Sequence, residues 1–407
     1  MGYASIGGSY KTSGGTTVKT RDELRSAVNS GGVIIIDGMI DMSEGRLVAA
    51  GKKSTDSTPA LDDFVKNKSD GKYQNYAAWV KAYSEACDLF TEDDKAGATD
   101  GTGNSSLQSV MKKLNDEYGK IIRLDLQSNT TLIGKGPGCG IRGGTIQISG
   151  KSNIQIRNLT IQDPFDPFPH HEVDSSGNKT DGYNAQWDGV NIQGTCSNIW
   201  IDHCTFEDTL KLGHVMTNGK DDEKWQTYDG LCDMKGNSEN ITVSNCIFRN
   251  HDKTMLIGND DKETVSVTRT VTLYRNQFFN CGQRMPMVRK TDVHVVNNYY
   301  DYDGSWELEK GQQYAVGVRY NANVQSENNY FGSGIKYSFS GYDDTSKRGY
   351  VYSSGDSDNS KSKMREEQLN KKTSSLFTPS YTIEKIAASA VPNTVRASAG
   401  AGYTLQQ

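Results

Sequence analysis

A chain of 407 residues has room for one large domain or two ordinary ones. A net charge of −5 and an isoelectric point near 5.8 argue against nucleic acid as the main partner. A mean hydropathy of −0.67, with no apolar run of about 18 residues, excludes a helical membrane span.

Gly at 42 residues against 8 Pro, with 21 Tyr, suits many short strands and turns rather than a helix bundle. Seven cysteines, an odd number with no CxxC, suit neither a small disulfide scaffold nor a zinc site. The opening Met1-Gly2-Tyr3-Ala4 has no basic or apolar leader segment. The expectation is either a cytoplasmic protein or the mature form of an exported one.

In chain order, Thr20 with Glu23 fits a capping box, and Leu24, Ala27 and Val28 give a short amphipathic helix. Residues 33–36 form an apolar run closed by Asp37-Gly38, which predicts a buried strand and a turn. The texture then changes. Tyr76, Trp79, Val80, Tyr83, Cys87 and Phe90 recur at helical spacing, as do Leu107, Val110, Met111 and Leu114. A polar, Gly-rich stretch at 91–106 lies between them. Residues 43–118 are expected to be a helical insertion packed on a β body, within a single domain spanning 1–407.

An internal repeat follows. NIQIRNLTI from Asn153, NIWIDHCTF from Asn198, NITVSNCIF from Asn240, TVTLYRNQF from Thr270, DVHVVNNYY from Asp292 and NVQSENNYF from Asn323 superimpose without gaps. Ile154, Ile199, Ile241, Val271, Val293 and Val324 share one slot; Ile161, Phe206, Phe248, Phe278, Tyr300 and Phe331 share another. Asn158, His203, Asn245, Asn297 and Asn328 share a polar column, and Asn276, Asn298 and Asn329 share the next with Cys204 and Cys246. Strand-length units at irregular intervals of 22 to 45 residues suit the coils of a parallel β-helix with loops of varying length. The predicted fold is all-β, a right-handed parallel β-helix.

Chemistry-bearing residues fall on these coils. Asp188 opens WDGVNIQG, Asp229 and Asp233 stand in YDGLCDMK, and Lys253 lies in HDKTMLIG. Hard carboxylates at one rim suit Ca²⁺, which takes oxygen ligands in irregular geometry. Taken alone, D-G-x-x-D also reads as a solvated turn and Lys253 as a surface lysine. His203 reads as a packed structural histidine, since its column is otherwise mostly asparagine. Arg284 and Arg289 bracket Pro286 in QRMPMVR. In an extended chain residues five apart point to opposite faces, so the two arginines meet one ligand only if the chain turns between them. Pro286, with its fixed φ, suits such a turn.

The set WIDHC, YDGLCDMK, HDKTMLIG and QRMPMVR followed by VHVVNNYY resembles the family 1 pectate lyases of the pectin-lyase-like superfamily. The similarity runs from about residue 33 to the AGAG near Gly402, interrupted by the helical insertion. The resemblance implies a parallel β-helix secreted to act on polygalacturonate. It further implies that Asp188, Asp229 and Asp233 hold a primary Ca²⁺, that Lys253 contacts a substrate carboxylate, that Arg284 is the Brønsted base and that Arg289 grips substrate. One departure is visible: where some members carry a second acid two residues before the first calcium aspartate, this chain has Gln186, which bears on calcium stoichiometry or affinity rather than on the reaction. No nucleic-acid or membrane partner is expected, and nothing demands more than a monomer.

The chemistry is coherent with that set. Eliminative cleavage of a uronate polymer removes the weakly acidic proton α to a carboxylate. Ca²⁺ on that carboxylate and a clamp from Lys253 and Arg289 would stabilise the developing charge. A base must reach within about 3 Å of the proton. Free arginine titrates above about 12, and neighbouring positive charge disfavours its protonated form, which points to an alkaline optimum. Three rivals stand beside this reading. A pectin lyase would act on esterified substrate without Ca²⁺, against the Asp229 and Asp233 pair. A polygalacturonase would need carboxylates as acid and base, where this chain has Arg284. A non-catalytic polysaccharide-binding β-helix would have no need of such a rim.

Overall fold

The computed structural model describes residues 2–49, 51–85, 106–173, 179–211, 215–216, 224–308 and 310–404. The chain winds as a parallel β-helix. Each coil contributes one short strand to each of three parallel sheets, of eleven, nine and eight strands. A coil runs, for example, through Val190–Gln193 in the eight-stranded sheet, Ser197–Asp202 in the eleven-stranded sheet and Thr205–Glu207 in the nine-stranded sheet.

The repeat register is the observed one. Ile199 pairs with Ile154 and Ile241, and the line continues through Val271, Val293 and Val324 to Val351. All of these are buried. Phe206, Phe248, Phe278, Tyr300 and Phe331 form a continuous interior stack, with ring centroids 4.7, 5.1, 5.0 and 4.6 Å apart and planes within 11° of parallel. Asn276, Asn298 and Asn329 form a buried ladder: Asn276 Nδ2 donates to Asn298 Oδ1 at 2.9 Å and Asn298 Nδ2 to Asn329 Oδ1 at 3.1 Å. Their remaining amide hydrogens go to backbone carbonyls of strand residues such as Val243 and Leu273. The neighbouring polar column has a different task. Asn158, His203, Asn245, Asn297 and Asn328 all adopt φ between 51° and 54°, the left-handed corner between two strands that asparagine tolerates best. Arg275 occupies the same corner in the coil that begins at Arg269 (φ 53°).

Around this body lie five helices among the described residues: α1 (Arg21–Ser30), α2 (Pro59–Lys68), α3 (Tyr76–Glu85), α4 (Ser106–Ile122) and α5 (Val391–Ser398). Helix α1 carries the expected capping box from Thr20 and Glu23. Helices α2 to α4 bury their apolar stripes in a second core, separate from the coil interior and built on Trp79, Tyr83, Tyr118, Phe168, Tyr183 and Trp225. Helix α2, which the spacing analysis did not single out, is capped by Thr58 with Pro59 in its first turn and buries Leu61, Phe64 and Val65. Helix α4 runs to Ile122, past the expected limit at 118. Cys87, Phe90 and most of the polar stretch at 91–106 lie outside the described residues. The strand at Gly32–Ile36 is buried on one side only: Ile34 and Ile36 face the core, whereas Val33 and Ile35 are half-buried on the outer face.

Phe248 lies between two stacked rings with no exposed surface, so Phe248→Ala should cost about 3–5 kcal/mol of unfolding free energy. Denaturant unfolding measures this, and a loss below about 1 kcal/mol would contradict the interior stack.

Candidate active site

The eight-stranded sheet gathers the candidate residues because consecutive coils put their strand ends side by side. Asp188 precedes Val190–Gln193, Asp233 lies within Cys232–Met234, Lys253 precedes Leu256–Ile257, and Met287–Val288 lies between the two arginines. These four strands are consecutive neighbours. At ~4.8 Å per strand, the set spans ~15 Å along the axis.

Asp188 and Asp233 form the acidic heart of the rim. Their side chains are 1% and 4% exposed, and Lys235 Nζ bridges them at 3.3 and 3.2 Å. Asp188 Oδ1 accepts from Gly230 N at 2.9 Å, and Asp233 Oδ1 from Leu256 N at 2.9 Å. Both oxygens crowd Gly230, where a Cβ would fall 2.5 Å from Asp233 Oδ1 and 2.7 Å from Asp188 Oδ1. Only glycine lets the two carboxylates approach. Burial, reinforced by the Asp233 charge, pushes the Asp188 carboxyl well above its ordinary range. Burial would lower Lys235, but the Asp233 and Asp188 charges outweigh it and raise it.

Asp229 faces the other way. Its Oδ1 pairs with Lys253 Nζ at 2.8 Å, and Lys253 also donates to Asn184 Oδ1 at 2.7 Å. Burial acts to raise Asp229, yet Lys253 foremost, with Lys235 and Arg284 in support, holds it below the usual carboxylate value. Among the described residues no three His, Cys, Asp or Glu side chains converge on one point. The three aspartates thus form a buried pair plus a neighbour engaged by a lysine.

The turn required between the arginines is made at Arg284 itself, which takes φ 59°, with a cis peptide at Met285–Pro286. Arg284 Nε is buried and has no hydrogen-bond partner. Arg289 lies apart from the aspartates: its Nε donates to Asp261 Oδ1 at 2.9 Å and its Nη2 to the Tyr342 hydroxyl at 3.2 Å. The fully buried Arg269 fixes the backbone there, donating to Arg289 O and pairing with Glu263.

Two residues of the rim were given no role in the sequence analysis. Lys235 had a legible signal, since it lies two residues after Asp233, just past the end of its strand, where an extended chain keeps the same face. His251 is buried, with Nδ1 at 2.7 Å from Asp208 Oδ2 and Nε2 at 2.8 Å from Asp229 O. A backbone carbonyl can only accept, so Nε2 donates and the ring anchors the Asp229 backbone. Burial would lower His251, but Asp208 raises it overall; burial in turn lifts Asp208 to about 6. His203 is a corner residue, its Nδ1 at 2.8 Å from Asp202 Oδ2 and its ring edge-on to Tyr403 at 4.7 Å.

A family model described as pectate lyase matches residues 95–404. Pectate lyase A of Dickeya chrysanthemi is 36% identical over 214 residues, 51% of this chain and 52% of that protein. A pectate lyase of Bacillus subtilis strain 168 is 29% identical over 334 residues, 80% of this chain and 72% of that protein. A solved structure of a Bacillus subtilis pectate lyase mutant superposes with a TM-score of 0.76 at 25% identity, covering 100% of this chain and 97% of the other. The chain spans about half the length of the Dickeya relatives it matches.

Asp202 next to the His203 corner carries a pH signature. Burial would raise its carboxyl, but hydrogen bonds and charge from His203, with Ser244 and Asn245, hold it at about 2. A depressed carboxylate contributes stability that is present above its unfolded value near 4 and lost as pH falls through about 2. Asp202→Asn should therefore be less stable at about pH 5 by on the order of 2 kcal/mol, the gap closing between about pH 4 and about pH 2. Urea unfolding across that range measures it; a gap independent of pH would contradict the assignment.

Proposed function

The chain belongs to the pectate lyase family, and on that premise we propose that it cleaves de-esterified polygalacturonate by Ca²⁺-dependent β-elimination, releasing unsaturated oligogalacturonides. The observation that carries this reading is Arg284. A guanidinium whose Nε is buried and unpaired stands within electrostatic reach of the Asp229–Lys253 pair, where a hydrolase would need a carboxylic acid.

The donor set fits a hard divalent cation. Asp188 and Asp233 are buried, present oxygens only, and converge across a glycine that no other residue could replace without displacing them. A lysine ammonium supplies positive charge between them. Asp188 and Asp233 would hold Ca²⁺, with Asp229 on the same rim. When bound, Ca²⁺ supplies positive charge that neutralises a uronate carboxylate beside the proton to be removed.

The chain's own groups do the rest. Lys253, held by Asp229 and Asn184, meets a substrate carboxylate as a fixed point charge. Arg289, oriented by Asp261 and Tyr342, offers its fork to a second carboxylate. Arg284 takes the proton from C5. The electron pair left behind forms the C4–C5 double bond, and the bond from C4 to the glycosidic oxygen breaks. That oxygen leaves with a proton from solvent. The base acts from a chain segment locked by Met255 N donating to Arg284 O at 2.7 Å.

Ultraviolet absorbance of the unsaturated product tests the reaction. Activity on polygalacturonate should vanish in chelator, return with Ca²⁺ and fail to return with Zn²⁺, because the proposed ligands are all hard oxygens. Full activity in excess chelator, or a preference for methyl-esterified substrate, would overturn the calcium reading. Arg284→Lys should lower kcat by at least about 100-fold while Ca²⁺ and substrate still bind. Near-normal kcat with only a raised KM would make Arg284 a clamp and place the base elsewhere.

A further inference from the structure

The helical insertion meets the site at residues 183–188, among other places, and the contacts there are specific. Asn115 of α4 donates through Nδ2 to both oxygens of Asp166 at 3.1 Å and to Phe168 O at 3.0 Å. Asp166, with no exposed surface, accepts in turn from Gln186 N at 2.8 Å. Gln186 stands two residues before Asp188. Between them Trp187 packs its Cζ2–Cη2 end against Gly119, one helical turn on from Asn115. A Cβ at Gly119 would fall 2.6 Å from Trp187 Cζ2 and 2.7 Å from Cη2. Upstream, the Tyr183 hydroxyl donates to Tyr83 O of α3 at 3.1 Å. The other side of this segment presents Asn184 to Lys253 and Asp188 to Asp233 and Lys235.

We infer that α4 sets the position of Asp188, with Asn115 and Gly119 as positioning residues that act through Asp166 and Trp187. A carboxylate is costly to hold in an apolar core unless its oxygens are satisfied. Here one side chain of α4 meets both oxygens, and the carboxylate also accepts two backbone N–H groups, Phe168 N on Oδ1 and, beside the rim, Gln186 N on Oδ2, each at 2.8 Å. Burial lifts Asp166 to about 6, against the pull of Gln186 N, Phe168 N and Asn115. An insertion serving only as a cover over the coils would have no need of a buried amide on the carboxylate that accepts from that N–H. It would also have no need of a glycine where the Asp188 segment crosses it. Large polar displacements are excluded at a packed helix–ring contact, so a small shift of α4 is transmitted to Asp188 rather than absorbed.

The inference rests on reading Asp188 as a Ca²⁺ ligand. Calorimetric titration of the metal-free full chain with Ca²⁺, alongside its melting temperature in chelator, tests it. Asn115→Ala should weaken Ca²⁺ binding by about tenfold or more, and Gly119→Ala, which leaves every hydrogen bond of Asp166 in place, should do the same. A purely structural role would lower the melting temperature and leave the Ca²⁺ dissociation constant of the folded protein unchanged; that result overturns the inference. A readout on the wild type does not depend on any variant folding. Because coupling is reciprocal, Ca²⁺ should slow amide hydrogen exchange in α4 as well as in residues 183–188. Ca²⁺ binding without added protection in α4 overturns the inference alone. Failure of the wild type to bind Ca²⁺ overturns the calcium reading and this inference with it.

Discussion

Everything in this molecule depends on coils that stack in register. A parallel ladder ties each strand to the same position one coil away, so a residue type that suits the interior once must suit it in every coil. Aliphatics therefore meet aliphatics along the line from Ile154 to Val351, and rings meet rings from Phe206 to Phe331. The asparagine ladder is the polar version of the same rule. A buried amide is tolerable only when both its donors and its acceptor are used, and Asn298 achieves this by bonding to the amides above and below. A slip of one residue would turn each of these side chains to the other face.

The same stacking creates the rim. Side chains that are distant in the chain become neighbours when their coils are adjacent, so charge can be concentrated on one edge of the eight-stranded sheet. The strands beneath are rigid, and the carboxylates inherit that rigidity through backbone donors such as Gly230 N and Leu256 N. Two buried like charges at such close quarters would be unfavourable alone. Lys235 offsets them in part, and Asp188 stays raised, first by burial and then by the Asp233 charge. The rim is therefore electrostatically demanding, and Lys235 is the positive charge that the two carboxylates share.

Supporting groups show how little of a site lies in its reactive residues. His251 holds the Asp229 carbonyl, Arg269 holds the Arg289 carbonyl, and neither reaches the rim surface. Both are buried, and each has an acidic partner, Asp208 and Glu263 respectively. Their common feature is that charge-assisted hydrogen bonds are stronger than neutral ones and fix the backbone against small displacements.

The β-helix was legible in the sequence because its period-two strands and asparagine corners repeat: six ungapped segments specified the interior line, the aromatic stack and the ladder before any coordinate was known. The coil of Tyr350–Ser354 is not among those six, since its strand reads YVYSS and turns at Gly355 (φ 70°). The aspartates, Lys253 and the arginines were legible as motifs, and their gathering on neighbouring coils followed from the repeat. What only the tertiary structure decided is how these charges pair. Asp229 turns to Lys253, whereas Asp188 and Asp233 share Lys235, and Arg289 engages Asp261 while Arg284 Nε is left without a partner. Partner choice among like-charged groups depends on angles at the ends of strands and on which backbone N–H each oxygen meets. The attachment of α4 to the Asp188 segment was equally hidden, because Asn115, Asp166 and Gln186 lie 51 and 20 residues apart and meet only when the insertion folds back on the coils.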